Sequence, residues 1–551
     1  MNRFFKFAFA ALALMVSVQA VAKKGATTVA VVVDEKTYQQ IPSAVDAYVE
    51  SVGNATRKGV LVVDKWFNPD SIKAELYRMY TQQNLEGAVF IGDIPIPMLR
   101  DAQHFTTAFK MNQKMNIQRS SVPSDRFYDD FDLNFKFIKQ DEKNKLFFYY
   151  SLLAEGDQEI VCDIYSSRIK APEGENKYEL VAAYLQKAVA AKKNSAPMDK
   201  LLHFGGHGYN SESMQARVDE AVAFAEHFQF LNGKGADLNY IDHTYDNSVK
   251  TRLMAAVADK DLDLAMLHHH GADDTQYLNG SPFVADPQGW IKLARNYFRT
   301  KMRSAKDKEK TKARFIEQYD IPASWCDDAF TPEREKEDSL YAAGMDIFLT
   351  DLNGYSSGAR MVVLDACYNG SFNMDDYIAA RYIFNPGNTV VVKANSVNTL
   401  QDTWTTEMIG LLNWGACAGN WAKGQLTLES HLFGDPTFEF DSRDDLLDLF
   451  NDKAKMLNQR AITDALMSHG YSKDKFLNWV DKYSKFLDKD KEMIHSILDS
   501  WVEPEVTVPG TGAANTAQTA EAPAEAPATP AEAPTEPNRI TKEEAIAIAL
   551  A

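Results

Sequence analysis

Apolar runs without alternation constrain this chain more than any other feature: VAVVV at 29–33, LAML at 264–267 and MVVL at 361–364. A strand wetted on one face alternates apolar and polar residues, whereas an unbroken run suits a strand covered on both faces, as in parallel sheets flanked by helices. Further strand-like runs lie at 58–64, 86–92, 145–153, 159–165, 200–204 and 389–393, and residues 43–52 and 69–83 have helical spacing between some of them. Strands alternating with helices predict an α/β fold with a mostly parallel sheet.

Two of these runs end in reactive side chains. LDLAMLHHHGADD delivers His270 and Gly271 where one strand runs out, and MVVLDACYNGSF delivers Cys367 where another does. Functional groups converge at the carboxyl ends of parallel strands, and a His beside a Cys forms a base and a nucleophile. An ordinary thiol is only a few per cent thiolate at neutral pH; an adjacent imidazole raises that fraction and later protonates a leaving amine. Gly271 and Gly370 leave the backbone approachable at both strand ends. The other cysteines lack such a context. Cys162 and Cys417 sit among apolar or small residues and are expected to pack as small hydrophobes. Cys326 is open to disulfide formation in an oxidising compartment, with no partner assignable from sequence.

A competing chemistry uses metal. On a strand, His268 and His270 point to one side and His269 to the other, and His203 or His207 of HFGGHG would complete a ligand set. The spacing matches no zinc pattern, so no metal ligands are assigned.

The ends and charge bound the setting. Arg3 and Lys6, an apolar stretch at 7–18 and Ala20-Val21-Ala22 read as a signal peptide over 1–22. The chain is therefore expected to be exported, to a periplasm or beyond the cell, with no membrane span elsewhere. A net charge of −18 argues against nucleic acid and anionic membranes as partners.

ACYNGSF around Cys367 and HHHG around His270 resemble the two active-site motifs of the gingipain-type cysteine peptidases of the caspase-like clan, with His where the family has the first Gly of G-H-G. AVFIGDIPIP, VPSDRFYDDFD, IYSSRIKA and HLFGDPTFEF are similar, in the same order, to other segments of that family. The resemblance covers roughly 27–440. It implies a caspase-like three-layer sandwich, with Cys367 as nucleophile, His270 as general base, and the Gly271 and Cys367 N–H groups as oxyanion donors. Protein or peptide substrates follow from it. No cofactor is required; it admits a structural calcium, for which the sequence offers no recognisable loop.

Asp365, two residues before the nucleophile, resembles the D-x-C arrangement of clostripain, metacaspases and paracaspases, which implies cleavage after Lys or Arg. Asn395, Ser396, Asp402 and Trp404 are the expected substrate-pocket residues. The implied organisation is a smaller α/β subdomain at 23–197, a catalytic domain at 198–441 with a charged insertion at 282–355, a helical extension at 442–503, an Ala/Pro-rich linker at 504–537 and a short segment at 538–551. Within the insertion, 301–314 (KMRSAKDKEKTKAR) reads as a solvated helix or loop, or as a basic processing loop.

Two departures from the family matter. The insertion separates His270 from Cys367 far more than in typical gingipains. The region of HFGGHGYNSES lacks a clear acidic residue to orient the histidine, with His207 and Glu212 as loose substitutes. These departures motivate the alternative of a catalytically inactive caspase-like module used for binding or assembly.

Overall fold

The computed structural model describes residues 26–108, 114–206, 249–278, 286–400 and 405–442, most of 220–243, and the single positions 481 and 495. The expected signal peptide, linker and last segment, and nearly all of the expected helical extension, lie outside the described residues. Lys23–Asp444 form one compact unit; Met1–Ala22 and Asp445–Ala551 group as another, in which His495 pairs with Asp481 at 2.7 Å.

The strands are β1 (Thr27–Asp34), β2 (Arg57–Asp64), β3 (Leu85–Ile91), β4 (Ile96–Arg100), β5 (Val122–Pro123), β6 (Phe135–Gln140), β7 (Phe147–Leu152), β8 (Tyr165–Ile169), β9 (Lys200–Gly205), β10 (Asp237–Asp242), β11 (Leu264–His268), β12 (His270–Gly271), β13 (Thr275–Tyr277), β14 (Ile347–Phe348), β15 (Met361–Asp365), β16 (Val391–Asn395) and β17 (Ser430–Gly434). Ten form one sheet in the order β10-β9-β11-β15-β16-β17-β8-β3-β1-β2. Every described pairing in it is parallel except β16 with β17. The protein is thus α/β with a mostly parallel sheet, as the unbroken apolar runs require. The single antiparallel joint reverses strand direction, so the two halves of the sheet present their carboxyl ends at opposite edges.

The sheet is continuous across residue 197, where the sequence suggested a subdomain boundary: β17, from beyond that boundary, is seated between β16 and β8. Helices Pro42–Val52 and Lys177–Lys193 cover one face of the β1–β3 half through Val45, Tyr48, Val181, Tyr184 and Leu185. Helix Pro69–Gln83 covers the other through Ile72, Leu76 and Met79. Its start matches its sequence: Asn68 caps the Ser71 N–H and Pro69 occupies the first turn, where a missing N–H is harmless.

One expectation changes. Residues 159–165 are largely irregular, and the strand is Tyr165–Ile169 instead. The Asp163 and Ile164 N–H groups bond the Asp129 carbonyl rather than a neighbouring strand, which lets Ile160, Cys162 and Ile164 bury without pairing. The insertion agrees with the solvated-helix reading of 301–314, whose residues are mostly exposed and helical. It folds into helices Pro287–Ser304, Lys308–Tyr319, Ser324–Asp327 and Pro332–Ala343 around Phe298, Met302, Phe315, Cys326 and Ala329. Segment 301–314 supplies the end of one helix and the start of the next, and Arg299 forms a buried ion pair with Asp338. Cys162, Cys326 and Cys417 are buried free thiols.

Two buried arginines, both from segments singled out in the sequence, brace the unit. Arg168 on β8 is fully buried; it holds Asp125 at 2.6 and 2.9 Å and the Ile94 and Pro95 carbonyls, between the rings of Phe90 and Phe372. Arg126 bonds Asp129 and the carbonyls of Gln425, Thr427 and Ser430. Each guanidinium thereby ties segments far apart in sequence with charge-assisted hydrogen bonds.

Candidate active site

Strands β11 and β15 lie side by side in parallel, with His268 opposite Asp365. His270 and Cys367 each follow two residues later, where the two segments leave this sheet alongside each other. The contact between the two segments is close: a β-carbon at Gly271 would lie 2.3 Å from the Cys367 carbonyl oxygen and 2.7 Å from Asn369 Nδ2. A glycine is needed there because the backbone of one segment rests directly on the other.

Cys367 is partly exposed. Its Sγ lies 3.4 Å from both the N–H and the carbonyl of Thr399, on the loop after β16. The Thr399 N–H donates to the sulfur, and the thiol donates to the Thr399 carbonyl. Tyr368, the next residue, has φ of 58°, a left-handed conformation unusual for a residue with a side chain. It produces a sharp turn directly after the thiol. Asn369 then locks this turn to the histidine segment, donating to the Ala272 carbonyl at 2.6 Å and the Thr275 carbonyl at 3.1 Å.

His270 and Gly271 form β12, in a small antiparallel sheet with β13 and β14. His269 is turned inward and fully buried. Its Nδ1 bonds the His270 carbonyl and its Nε2 meets Gln276 Nε2 at 2.9 Å, while Tyr382 donates to Gln276 Oε1. That chain assigns a neutral ring with its proton on Nδ1, and burial holds it down at about 3. The backbone carrying His270 is therefore fixed by a neutral imidazole beneath it.

The pairing positions themselves form a buried charge cluster. His268 Nδ1 lies 2.9 Å from Glu220 Oε2 and 3.0 Å from Asp365 Oδ2, and all three residues are buried. Burial opposes charging His268, but the Glu220 and Asp365 carboxylates override it and move its pKa upward. Burial, then Glu220, moves Asp365 upward against the pull of His268. Asp365 Oδ1 accepts from Thr405 Oγ1 at 2.8 Å. The carboxylate expected to meet a substrate's basic side chain thus already has a cationic partner inside the protein.

The other expected pocket residues divide. Asn395 is buried and donates to the Ala366 carbonyl, and its own carbonyl accepts from the Gly370 N–H. Ser396 donates to the Pro123 carbonyl, and its own carbonyl accepts from Ser371 Oγ. Both brace the turn around Cys367. Asp402 and Trp404 lie outside the described residues, as does His207 of the alternative metal set. His203 and His268 share a sheet face with Glu220 above it, while His270 belongs to the small sheet. Sequence reasoning missed Glu220, eight residues beyond Glu212, because nothing local marks it: only the fold brings it to His268. It also passed over Asn369, although that residue lies within the ACYNGSF motif itself.

Among the described residues, one group of three His, Cys, Asp or Glu side chains converges closely enough to hold a metal: Glu220, His268 and Asp365. A set that includes an imidazole nitrogen and is fully buried does not fit calcium, which takes six to eight oxygens. Nor is any helix among the described residues long and apolar enough to cross a membrane.

No protein-family model matches the chain, and no curated protein matches it in sequence. Among solved structures it is similar to the Arg-specific cysteine proteinase gingipain R (RgpB), at 11% identity and a TM-score of 0.41, covering 76% of this chain and 79% of that one. It is likewise similar to the complex of the Porphyromonas gingivalis RgpB pro- and mature domains, at 11% identity and 0.41, covering 75% and 80%. A further solved protease matches at 11% and 0.41, covering 75% and 78%.

Proposed function

We propose that this chain is an exported cysteine endopeptidase in which Cys367 and His270 form the catalytic pair. The observation that supports it is the register of β11 with β15, which brings the segments carrying His270 and Cys367 alongside each other, with Gly271 seated against the Cys367 carbonyl. His270 takes the Cys367 thiol proton as the sulfur attacks the scissile carbonyl carbon, and the carbonyl oxygen takes the negative charge. As the C–N bond breaks, His270 passes a proton to the leaving amine, and a thioester remains on the sulfur. Water, deprotonated by His270, then hydrolyses the thioester and regenerates the thiol. Backbone N–H groups of Gly271 and Cys367 are the proposed oxyanion donors.

Cleavage after Lys or Arg depends on Asp365. Its carboxylate is taken up by His268 and Thr405, so a basic side chain would have to displace or join a cation already present. Specificity is therefore read from the cuts rather than assigned in advance.

The test uses the purified full chain, wild type beside Cys367→Ala and His270→Ala, with a peptide library and with iodoacetamide. Cleavage abolished by Cys367→Ala, with alkylation of Cys367 slowed by His270→Ala, is the expected result. Cleavage surviving Cys367→Ala overturns the mechanism. A thiol that alkylates no faster than a free cysteine, with no cleavage, instead identifies the inactive binding or assembly module.

A further inference from the structure

Side chains alternate along each strand, and paired residues of neighbouring parallel strands share a face. Register therefore sets His203 of β9 level with Met266, His268 level with Asp365, and Val363 level with Lys393, all on one face of the sheet. Leu202, Phe204, Leu267 and Leu364 belong to the opposite, apolar face. Three strands thus place two imidazoles and a carboxylate at their carboxyl ends, and Glu220 descends on them from the segment that covers this face.

Three donor atoms converge there, His268 Nδ1, Glu220 Oε2 and Asp365 Oδ2, and His203 Nε2 stands beside Glu220 as a prospective fourth. The three measured separations are 2.9 Å for His268 to Glu220, 3.0 Å for His268 to Asp365, and 3.7 Å for His203 to Glu220. Ligands about 2.0–2.1 Å from a tetrahedral zinc stand about 3.3–3.4 Å apart, and the observed values bracket that spacing.

Hydrogen bonding alone leaves this cluster unfinished. One Nδ1 proton on His268 faces two carboxylate oxygens and cannot point straight at both. His203 is fully buried, yet neither of its ring nitrogens has a hydrogen-bond partner, and 3.7 Å from Nε2 to Glu220 is too long for one. Its ring is nonetheless held in place, stacked on Tyr240 at 5.5 Å and flanked by Phe224. Buried polar atoms are normally satisfied, so an aimed, unbonded imidazole beside two carboxylates and a second imidazole indicates a missing ligand.

We propose that His203, Glu220, His268 and Asp365 bind one divalent transition-metal ion of the zinc class. Two imidazole nitrogens and two carboxylate oxygens suit zinc. Four protein ligands close the coordination sphere, which makes the site structural rather than catalytic. Thr405, bonded to the other oxygen of Asp365, supplies the outer contact that orients a metal-bound carboxylate. Lys393 is buried on the same face; its Nζ lies 3.5 Å from both Asn395 Oδ1 and Thr405 Oγ1. The ion would clamp β9, β11 and β15 together two residues before His270 and Cys367, setting the level of the pair without touching substrate.

The test measures metal in tag-free, full-length protein by elemental analysis, then follows Co²⁺ binding by visible absorption after the native metal is stripped. Wild type and Cys367→Ala should each carry close to one zinc per chain and give the strong visible bands of four-coordinate Co²⁺. In His203→Gln and Glu220→Gln, affinity should fall at least about tenfold, with far-ultraviolet circular dichroism confirming that each variant is folded. If one variant fails to fold, the other decides. Wild-type protein without stoichiometric metal and without a thermal shift on adding Zn²⁺ overturns the site, as does metal content unchanged in both variants. Because Cys367→Ala is expected to keep the metal, failure here is distinguishable from failure of the peptidase assignment.

Discussion

Gly271→Ala is the sharpest perturbation of the proposed pair. The new methyl would sit 2.3 Å from the Cys367 carbonyl oxygen and 2.7 Å from Asn369 Nδ2. Non-bonded heavy atoms settle near 3.5 Å, so the two segments must part by about 1 Å. Neither yields easily: the Cys367 carbonyl accepts from the Asn369 N–H at 2.8 Å, and the Asn369 side chain is held by Ala272 and Thr275. Overpacking of this kind destabilises a fold by about 1–3 kcal/mol. The effect on chemistry is larger in proportion, because a 1 Å misplacement of reacting groups lowers the rate about 10²-fold, or about 2.7 kcal/mol of barrier. The assay compares kcat/KM on a peptide found by the library, and the rate of Cys367 alkylation, between wild type and Gly271→Ala. Gly174→Ala serves as control, since its methyl would meet only Asn176 Oδ1 at 3.6 Å. A Gly271→Ala protein that folds and both cleaves and alkylates at close to the wild-type rate refutes the argued contact.

Three further outcomes are expected. Arg168→Met leaves Asp125 charged and buried, which should cost about 3–5 kcal/mol in urea unfolding; adding Asp125→Asn should restore part of it, and equal losses in single and double variants would contradict the pairing. Asn369→Ala removes two bonds to the histidine segment and should slow Cys367 alkylation while lowering stability by about 1–3 kcal/mol; unchanged alkylation would show the clamp to be idle. Lys187 donates to the Ile383 and Asn385 carbonyls, and burial pulls its ammonium down to about 7 from the 10.5 of an unfolded chain. Between those values the unfolded chain binds the extra proton, so stability rises with pH. The urea midpoint of wild type relative to Lys187→Met should therefore climb from pH 7 upward, and a flat or falling difference would contradict it.

What the sequence determined by itself was the kind of sheet and the strand ends at which the proposed pair stands. Unbroken apolar runs demand cover on both faces, and β1, β9, β11, β15 and β16 arise close to where those runs lie. His270 and Cys367 were legible because each ends such a run, and a strand's end is a local property. The charged insertion was less legible: its few apolar residues are spaced across four helices, and only their meeting around Phe298 and Phe315 makes a core. Tertiary structure alone decided the partners. The seat of β17 between β16 and β8 depends on its parallel pairing with β8, hundreds of residues earlier in the chain. Glu220 reaches His268 across 48 residues, and Asp365 reaches it from the neighbouring strand. A carboxylate's role depends on which charge it faces, and spacing along the chain does not carry that information.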